Sequence, residues 1–383
     1  MRVVIFTKIP LFPTNGGNRA RILTLVNALK ALGHTVSFVL IPSKQMGDFD
    51  ESSHITFFGR DEFVIAKLTK FDIFLKNVNI VSHILAHWVR QKLRRPHHRH
   101  DNVDYIFPRF LARRVFLSVK ERSFDCVIVE YVHYSHILDF YPPETRKIID
   151  THDSFMLEFT DRAEAEGFTR ADVVMAIQNK EKLLFERIIQ ENFPTSKTRT
   201  ALIGHFIEPS AACDLTHTDG ATFLGSNFPA NRLSLDWFLN EVFPKILLKR
   251  PDFVLMIAGT VGVNVTPHPS IRILGTVPTV RDAFTSAPIL INPIVSGTGL
   301  KIKLMDAISL GVPVVSTMKG VEGIEPDFLG GVVVVPDSDS AAFAEATLRV
   351  YSDAAYRTSL GERALAAGRS MQEGQLAALQ AVL

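Results

Sequence analysis

Three places in the chain bring glycine, polar and titratable residues together at spacings that can do chemistry. The first is Asn292 to Ala307, reading NPIVSGTGLKIKLMDA. A β-branched run ends there, a Gly297-Thr298-Gly299 turn follows, and a helical stretch begins with Lys301 and Lys303 in its first turns. Lysines carry the wrong sign for a helix N-terminus, where the dipole is already positive, unless an anion neutralises them. Amides at Gly299 and Leu300 would point at that anion, and a phosphate fits. Gly299 and Asp306 are about two helical turns apart, on one face and roughly 10 Å from one another along the axis. Lys303 shares that face three residues before Asp306, whereas Lys301 points elsewhere. The span suits a nucleoside diphosphate, with Lys303 on the phosphate and Asp306 accepting from the ribose hydroxyls. A solvated amphipathic helix after a glycine turn is the plain alternative.

The second place is Ile148-Ile149-Asp150-Thr151-His152-Asp153, where an apolar strand stops in polar residues. A histidine at a strand end can hold a sugar hydroxyl or move a proton near neutral pH, so His152 and Asp153 are candidate catalytic residues. The plain reading is an N-cap aspartate with an incidental histidine before the next helix. Glu130, His133 and His136, after the preceding strand, are expected on the same rim. The third place is the turn Pro10–Arg19, PLFPTNGGNR, between a first strand and a first helix. Gly16 and Gly17 lack Cβ atoms, so a phosphate or sugar can approach the amides there. No G-x-G-x-x-G dinucleotide fingerprint is present at this turn.

Elements that position these residues follow from the pattern. Short β-branched runs alternate with amphipathic stretches, which predicts parallel sheets with crossover helices. Strands are expected at Arg2–Thr7, Thr35–Ile41, Cys126–Glu130, Lys147–Thr151 and Val173–Ile177, then at Thr222–Leu224, Phe253–Ala258, Ile271–Leu274, Ile289–Asn292, Val312–Ser316 and Val332–Val335. Helices are expected at Asn18–Leu32, Leu233–Lys249, Lys301–Ser309, Ala341–Tyr351 and Ser359–Leu383. The polar stretch Pro194–Asp219 reads as a linker between two alternating series. The fold class is therefore α/β, with two Rossmann-like domains: residues 1–200 on one side, 201–365 on the other, and a terminal helix at about 366–383 packing back on the first.

Composition excludes several classes. Forty-two Lys and Arg against 40 Asp and Glu leave +2, so nothing global attracts nucleic acid. An apolar fraction of 46% with 21% charged residues argues against large-scale disorder. Two cysteines cannot build a disulfide framework or a zinc site by themselves, which suits a reducing compartment. Neither a secretory leader nor a membrane span is expected, and the expected location is cytoplasmic. One segment stands out: Trp88–His100, WVRQKLRRPHHRH, has five Lys or Arg, three His and no acid. It reads either as a solvated helix end and loop or as a surface that binds an acidic acceptor or makes a peripheral contact with anionic lipid at the inner face of a membrane.

With these residues in hand, the chain resembles the retaining family-four glycosyltransferases (glycosyl transferases group 1) of the GT-B fold, most strongly over residues 221–324. Pro13, Gly16, Gly17 and Arg21 are similar to the family's P-x-x-G-G-x-x-R loop, with one extra residue of spacing. Gly33-His34-Thr35-Val36 looks like its G-H-x-V entry to the second strand. Thr222–Ser226, Pro313–Thr317 and Gly320–Gly323 look like its C-terminal strand and P-V-V-x-T and E-G-L segments. The resemblance implies two Rossmann-like domains facing across a deep cleft. It places His152 against the donor sugar, the amides of Thr298 to Leu300 on the distal phosphate, and Asp306 on ribose. Two departures are visible: Thr298 stands where the family's first Glu is usual, and Asp306 shortens the second. Arg232, beside Asn231, replaces the commoner basic pair after the first C-terminal strand. The loop Gly275–Pro278, with Val277, is the expected neighbour of the base.

The implied reaction moves a sugar from a nucleotide diphosphate sugar to a hydroxyl of a saccharide or lipid-linked acceptor, with retained configuration. No carboxylate nucleophile is evident, so front-face attack is expected, with the leaving phosphate taking the proton. Lys303, the loop amides and Arg232 would stabilise that phosphate. No metal or other cofactor is expected, since no Asp-x-Asp signature appears. Rival readings are a nucleotide-sugar epimerase of the same fold and a non-catalytic interaction protein.

Overall fold

The computed structural model describes residues 1–14, 16–43, 49–92, 99–155, 157–208, 210–297 and 300–383. Contacts divide the chain into one unit of Met1–Gly204 with Leu376–Leu383 and another of His205–Gln375. The first unit runs β1 (Arg2–Thr7), α1 (Gly17–Ala31), β2 (Thr35–Leu40), α2 (Glu51–Phe58), β3 (Phe63–Ile65), α3 (Lys70–Lys92) and α4 (Arg109–Leu117). It continues with β4 (Cys126–Glu130), β5 (Arg146–Asp150), α5 (Asp161–Phe168), β6 (Val173–Ala176), α6 (Asn179–Asn192) and β7 (Arg199–Leu202). These strands form a seven-stranded parallel sheet in the order β3-β2-β1-β4-β5-β6-β7.

The second unit holds β8 (Gly220–Leu224), α7 (Pro229–Trp237), α8 (Phe243–Lys249), β9 (Val254–Ala258), β10 (Ile271–Gly275) and β11 (Leu290–Asn292). After these come α9 (Ile302–Ser309), β12 (Val314–Thr317), β13 (Val332–Val335), α10 (Ser340–Ser352) and α11 (Ala354–Val382). Its six-stranded parallel sheet has the order β10-β9-β8-β11-β12-β13. A π-turn at Phe238–Val242 joins α7 to α8, so the expected single helix Leu233–Lys249 is two helices with a bulge.

Central strands are apolar on both sides because helices cover both faces of a parallel sheet. Val3, Val4, Ile5 and Phe6 of β1 and Leu255 and Ile257 of β9 have no exposed surface. Full burial of each such side chain contributes about 1.5–3 kcal/mol. In both sheets the strand order reverses beside the first strand of the unit: between β1 and β4, and between β8 and β11. Chains leaving neighbouring strands there turn to opposite faces, and the crevice that opens at their carboxyl ends is where such sheets take ligands.

Two strands lie outside the expected set. β3 is a three-residue edge strand, and β7 runs through the stretch expected as linker. Pairing of Arg199–Leu202 with Val173–Ala176 overrides the polar sequence of β7, because an edge strand needs only its ladder and one covered face. The polar connection between the sheets is therefore shorter than Pro194–Asp219. At the C-terminus, Leu379 and Val382 of α11 are buried, and Arg146 Nε donates to the Val382 carbonyl at 2.7 Å within the first unit.

Candidate active site

In the first unit, the register pairs Glu130 at the end of β4 with Asp150 at the end of β5. Arg21, on the second turn of α1 and only 1% exposed, reaches the same place. Its guanidinium donates to Asp150 Oδ1 at 2.7 Å, to the Ile203 carbonyl at 2.8 Å and to the Gly204 carbonyl. Two residues past Asp150, His152 places Nε2 2.8 Å from Glu130 Oε2 and Nδ1 3.1 Å from the Tyr131 hydroxyl. Tyr131 sits at φ 71, a left-handed turn that aims its ring at His152, with centroids 4.6 Å apart.

Charges in this cluster are set by burial. Burial pushes the Glu130 carboxyl up to about 8 against the pull of Arg21 and holds His152 down to about 4. Asp150 is also raised by burial, with Arg21 opposing. Near neutral pH the cluster is thus a guanidinium–carboxylate pair beside a largely protonated Glu130 and a neutral imidazole, with no net charge left to desolvate. A neutral imidazole donates from one nitrogen and accepts at the other, and Tyr131 and Glu130 take these two roles. Buried Arg21 Nε, Glu130 Oε1 and Asp150 Oδ2 have no hydrogen-bond partner among the described residues. Ligand atoms of Glu130, Asp150 and His152 converge within 4.8 Å, and Arg21 already supplies positive charge to that group.

The neighbouring candidates divide. His152 is buried with both ring nitrogens engaged, so it is not the freely projecting side chain the strand-end pattern suggests. Asp153 is exposed beside it. His133 faces Glu158 at 3.9 Å, and His136 is held by Asp104 at 3.0 Å and Asp139 at 2.7 Å, so both join other contacts than the Glu130 rim. Gly16 caps α1 in extended backbone without a side-chain cap, and Gly17 opens the helix. The loop before it is pinned by the Leu11 amide donating to buried His54 Nε2 at 2.8 Å. Glu130 shares the rim with His152 as the strand-end pattern leads one to expect, whereas the pairing of Arg21 with Asp150 is the part of the site that spacing did not reveal: 129 residues separate the two, and only the sheet order joins them.

In the second unit, the ends of β8 and β11 flank the switch point. Gly225 follows β8, and a Cβ on Gly259 (φ 89) would come within 2.2 Å of the Gly225 carbonyl oxygen, so these two strand-end turns approach as only glycine allows. Gly297, at φ 111, turns the chain after β11. Thr298 and Gly299 lie outside the described residues, so the loop amides assigned to phosphate are not described; Leu300 is half-buried at the end of that loop. From the first turn of α9, Lys303 crosses the switch point to α7, its ammonium 3.1 Å from Asn231 Oδ1 and 4.8 Å from the centre of the Phe223 ring. Burial, with help from the charge on Lys301, pushes Lys303 down to about 7. Among the described residues no carboxylate pairs with it.

Three residues on, Asp306 is pushed up to about 7 by burial. It lines a pocket of roughly 330 Å³ with Glu208, Thr279, Arg281 and Ser309. Val277, half-buried, lies in the loop after β10 that leads to Thr279. Arg232 behaves differently from its expected role: it donates to the Val261 and Val263 carbonyls at 2.8 and 2.7 Å and so braces the turn after β9. Structure thus brings Lys303, Asn231 and Asp306 to the switch point, and turns the Arg232 guanidinium onto backbone.

Residues 219–353 match the family model described as glycosyl transferases group 1. A protein of Klebsiella pneumoniae described as an uncharacterized 44.6 kDa protein in cps region is 32% identical over 142 residues, 34% of this chain. That match spans 36% of the curated relative's length. Among solved structures, sucrose-phosphate synthase from Thermosynechococcus elongatus is similar with a TM-score of 0.62 at 12% identity, covering 99% of this chain and 97% of that one. A TarM variant from S. aureus, in complex with Fondaparinux, alpha-GlcNAc-glycerol and UDP, gives 0.67 at 11% identity, covering 100% and 99%. HepE from Anabaena in complex with UDP gives 0.63 at 11% identity over all of both chains. At these identities the structural likeness speaks for the fold. Residues 219–353 are thus similar to the glycosyl transferases group 1, and the likeness to these solved structures shows a GT-B fold.

Proposed function

We propose that the chain transfers a glycosyl group from a nucleoside diphosphate sugar to a hydroxyl of a saccharide or lipid-linked acceptor, with retained configuration and without a metal. The observation that carries this reading is Lys303: a half-neutral amine at the switch point of a group 1 domain, with no counter-ion among the described residues. An arriving diphosphate supplies the missing negative charge, and the amine becomes fully protonated as it binds. As the glycosidic bond to phosphate breaks, charge grows on the leaving oxygen. Lys303 stabilises it best at that stage, which lowers the barrier rather than only the binding energy.

Asp306 takes the ribose hydroxyls in this scheme. Its raised pKa makes it a group that ionises fully only when donors arrive. In the first unit, the neutral His152 is held in a fixed orientation by Tyr131 and Glu130, with Asp153 exposed at its side. UDP bound to TarM and HepE supports a uridine diphosphate donor, and the relative in a cps region supports a role in cell-surface polysaccharide assembly.

The test is transfer of radiolabelled sugar from a panel of UDP-, GDP- and ADP-sugars to saccharide and polyprenyl-phosphate-linked acceptors, with EDTA or magnesium. The expected result is product with one donor, retained anomeric configuration by NMR, and the same rate in EDTA. Sugar interconversion without acceptor, or a rate that vanishes in EDTA and returns with magnesium, contradicts it.

A further inference from the structure

Helix α3 is turned inside out. Its side toward the rest of the first unit carries Asp72, Lys76, Asn79 and His83. Asp72, 3% exposed, accepts from Arg114 Nε at 3.1 Å. Asn79 donates to the Tyr105 carbonyl at 2.8 Å, and His83 stacks on the Tyr105 ring at 4.5 Å. Phe71, Phe74, Val78, Val81, Leu85 and Trp88 lie on the opposite side, between 48% and 64% exposed. At about 100° per residue these six fall within one arc of roughly 100°. An amphipathic helix on a water-facing surface has the reverse arrangement, and an apolar stripe of this length is outside what scattered surface hydrophobics explain.

Charge identifies the occupant. From Ile73 to His100 the sequence has six Lys or Arg and neither Asp nor Glu. Lys76 lies on the inward side and Arg99 pairs with Asp161 at 2.8 Å, which leaves Arg90, Lys92, Arg94 and Arg95 as the basic run that follows the stripe in sequence. Asp72, the acid of α3, faces inward against Arg114. A second copy of the chain would present the same positive tract, whereas an anionic bilayer offers hydrocarbon to the stripe and phosphates to the cations. No described helix is long and apolar enough to cross a membrane, which leaves α3 lying along the surface. We propose that the outward face of α3 docks the protein on an anionic phospholipid bilayer, with Phe71 to Trp88 among the upper acyl chains. This surface is independent of the transfer reading.

Sedimentation of the full chain with vesicles tests it. Binding is expected to vesicles of phosphatidylcholine mixed with phosphatidylglycerol, to weaken with salt, and to be slight with phosphatidylcholine alone. Exchanging Phe74→Glu and Val81→Glu together should weaken binding at least about tenfold, with circular dichroism unchanged. Leu183→Glu on α6, at an equally exposed apolar position, should leave it intact. In a Trp237→Phe background, Trp88 emission should shift to the blue on binding. Three results overturn the proposal: no binding to anionic vesicles, equal binding by the double variant, or a wild-type dimer in light scattering that the double variant dissolves while vesicle binding is absent.

Discussion

The two sheets reach their switch points with opposite electrostatics. At the end of β4 and β5, Arg21, Asp150, Glu130 and His152 balance one another, so the cluster is neutral as a whole before any ligand arrives. At the end of β8 and β11, Lys303 and Asp306 have both been pushed toward neutrality by burial, and neither meets an opposite charge among the described residues. The first arrangement fixes geometry; the second stores binding capacity that a ligand completes. A fold used twice in one chain thus serves two purposes, and the difference lies in whether the long-range partners of each charge are supplied by the protein.

The strongest way to break this contrast is Arg21→Leu. It leaves Asp150 buried without its cation, and loss of one partner of a buried ion pair costs about 3–5 kcal/mol. Chemical denaturation should show a loss of that size, and Arg21→Leu combined with Asp150→Asn should recover part of it. Smaller is Asp306→Asn, which keeps the shape and the neutral form but cannot become a strong acceptor. Nucleoside diphosphate affinity should fall about tenfold while stability near pH 6 is unchanged; equal affinity would remove Asp306 from the site.

Glu130→Gln has the smallest effect and sharpens the comparison through pH. The folded pKa of Glu130, about 8, lies above its ordinary value of 4.5. Its contribution is therefore fully present below about pH 4.5 and lost as pH rises through 8. Gln mimics the protonated form, so the variant should lose less of its melting temperature between about pH 5 and pH 9 than the parent. Asp150 and Asp306 are also raised and act in the same direction, so the slope is reduced rather than abolished. An unchanged slope would mean Glu130 is ionised in the folded protein.

Legibility in the sequence follows the same physics. Strands such as β1 and β4 are continuous apolar runs rich in β-branched residues and buried on both faces, and their limits coincide with the expected ones; those of β13, four valines at a sheet edge, coincide through the β-branched run alone. β3, Phe63–Ile65, is an edge strand too short for its apolar run to be read as one, and β7 opens on Arg199 and Thr200 without such a run. Lys303 and Asp306 were visible because helical spacing alone relates them, whereas the Arg21–Asp150 pair depends on strand order and leaves no local trace. Arg232 shows the limit from the other side: a basic residue at a plausible position whose guanidinium the fold engages with the Val261 and Val263 carbonyls. The side of α3 that faces inward is likewise decided by distant residues, Arg114 and Tyr105.

The most direct measurement is calorimetric titration of UDP, GDP and ADP into the protein and into Lys303→Ala, at about pH 6 and about pH 9. The account predicts that one diphosphate binds, that the variant binds it about 10- to 100-fold more weakly, as loss of a charge-assisted phosphate contact requires, and that affinity of the parent declines toward the higher pH as the Lys303 ammonium loses its proton. Equal affinity of the two proteins, or no binding of any diphosphate by the parent, would contradict it.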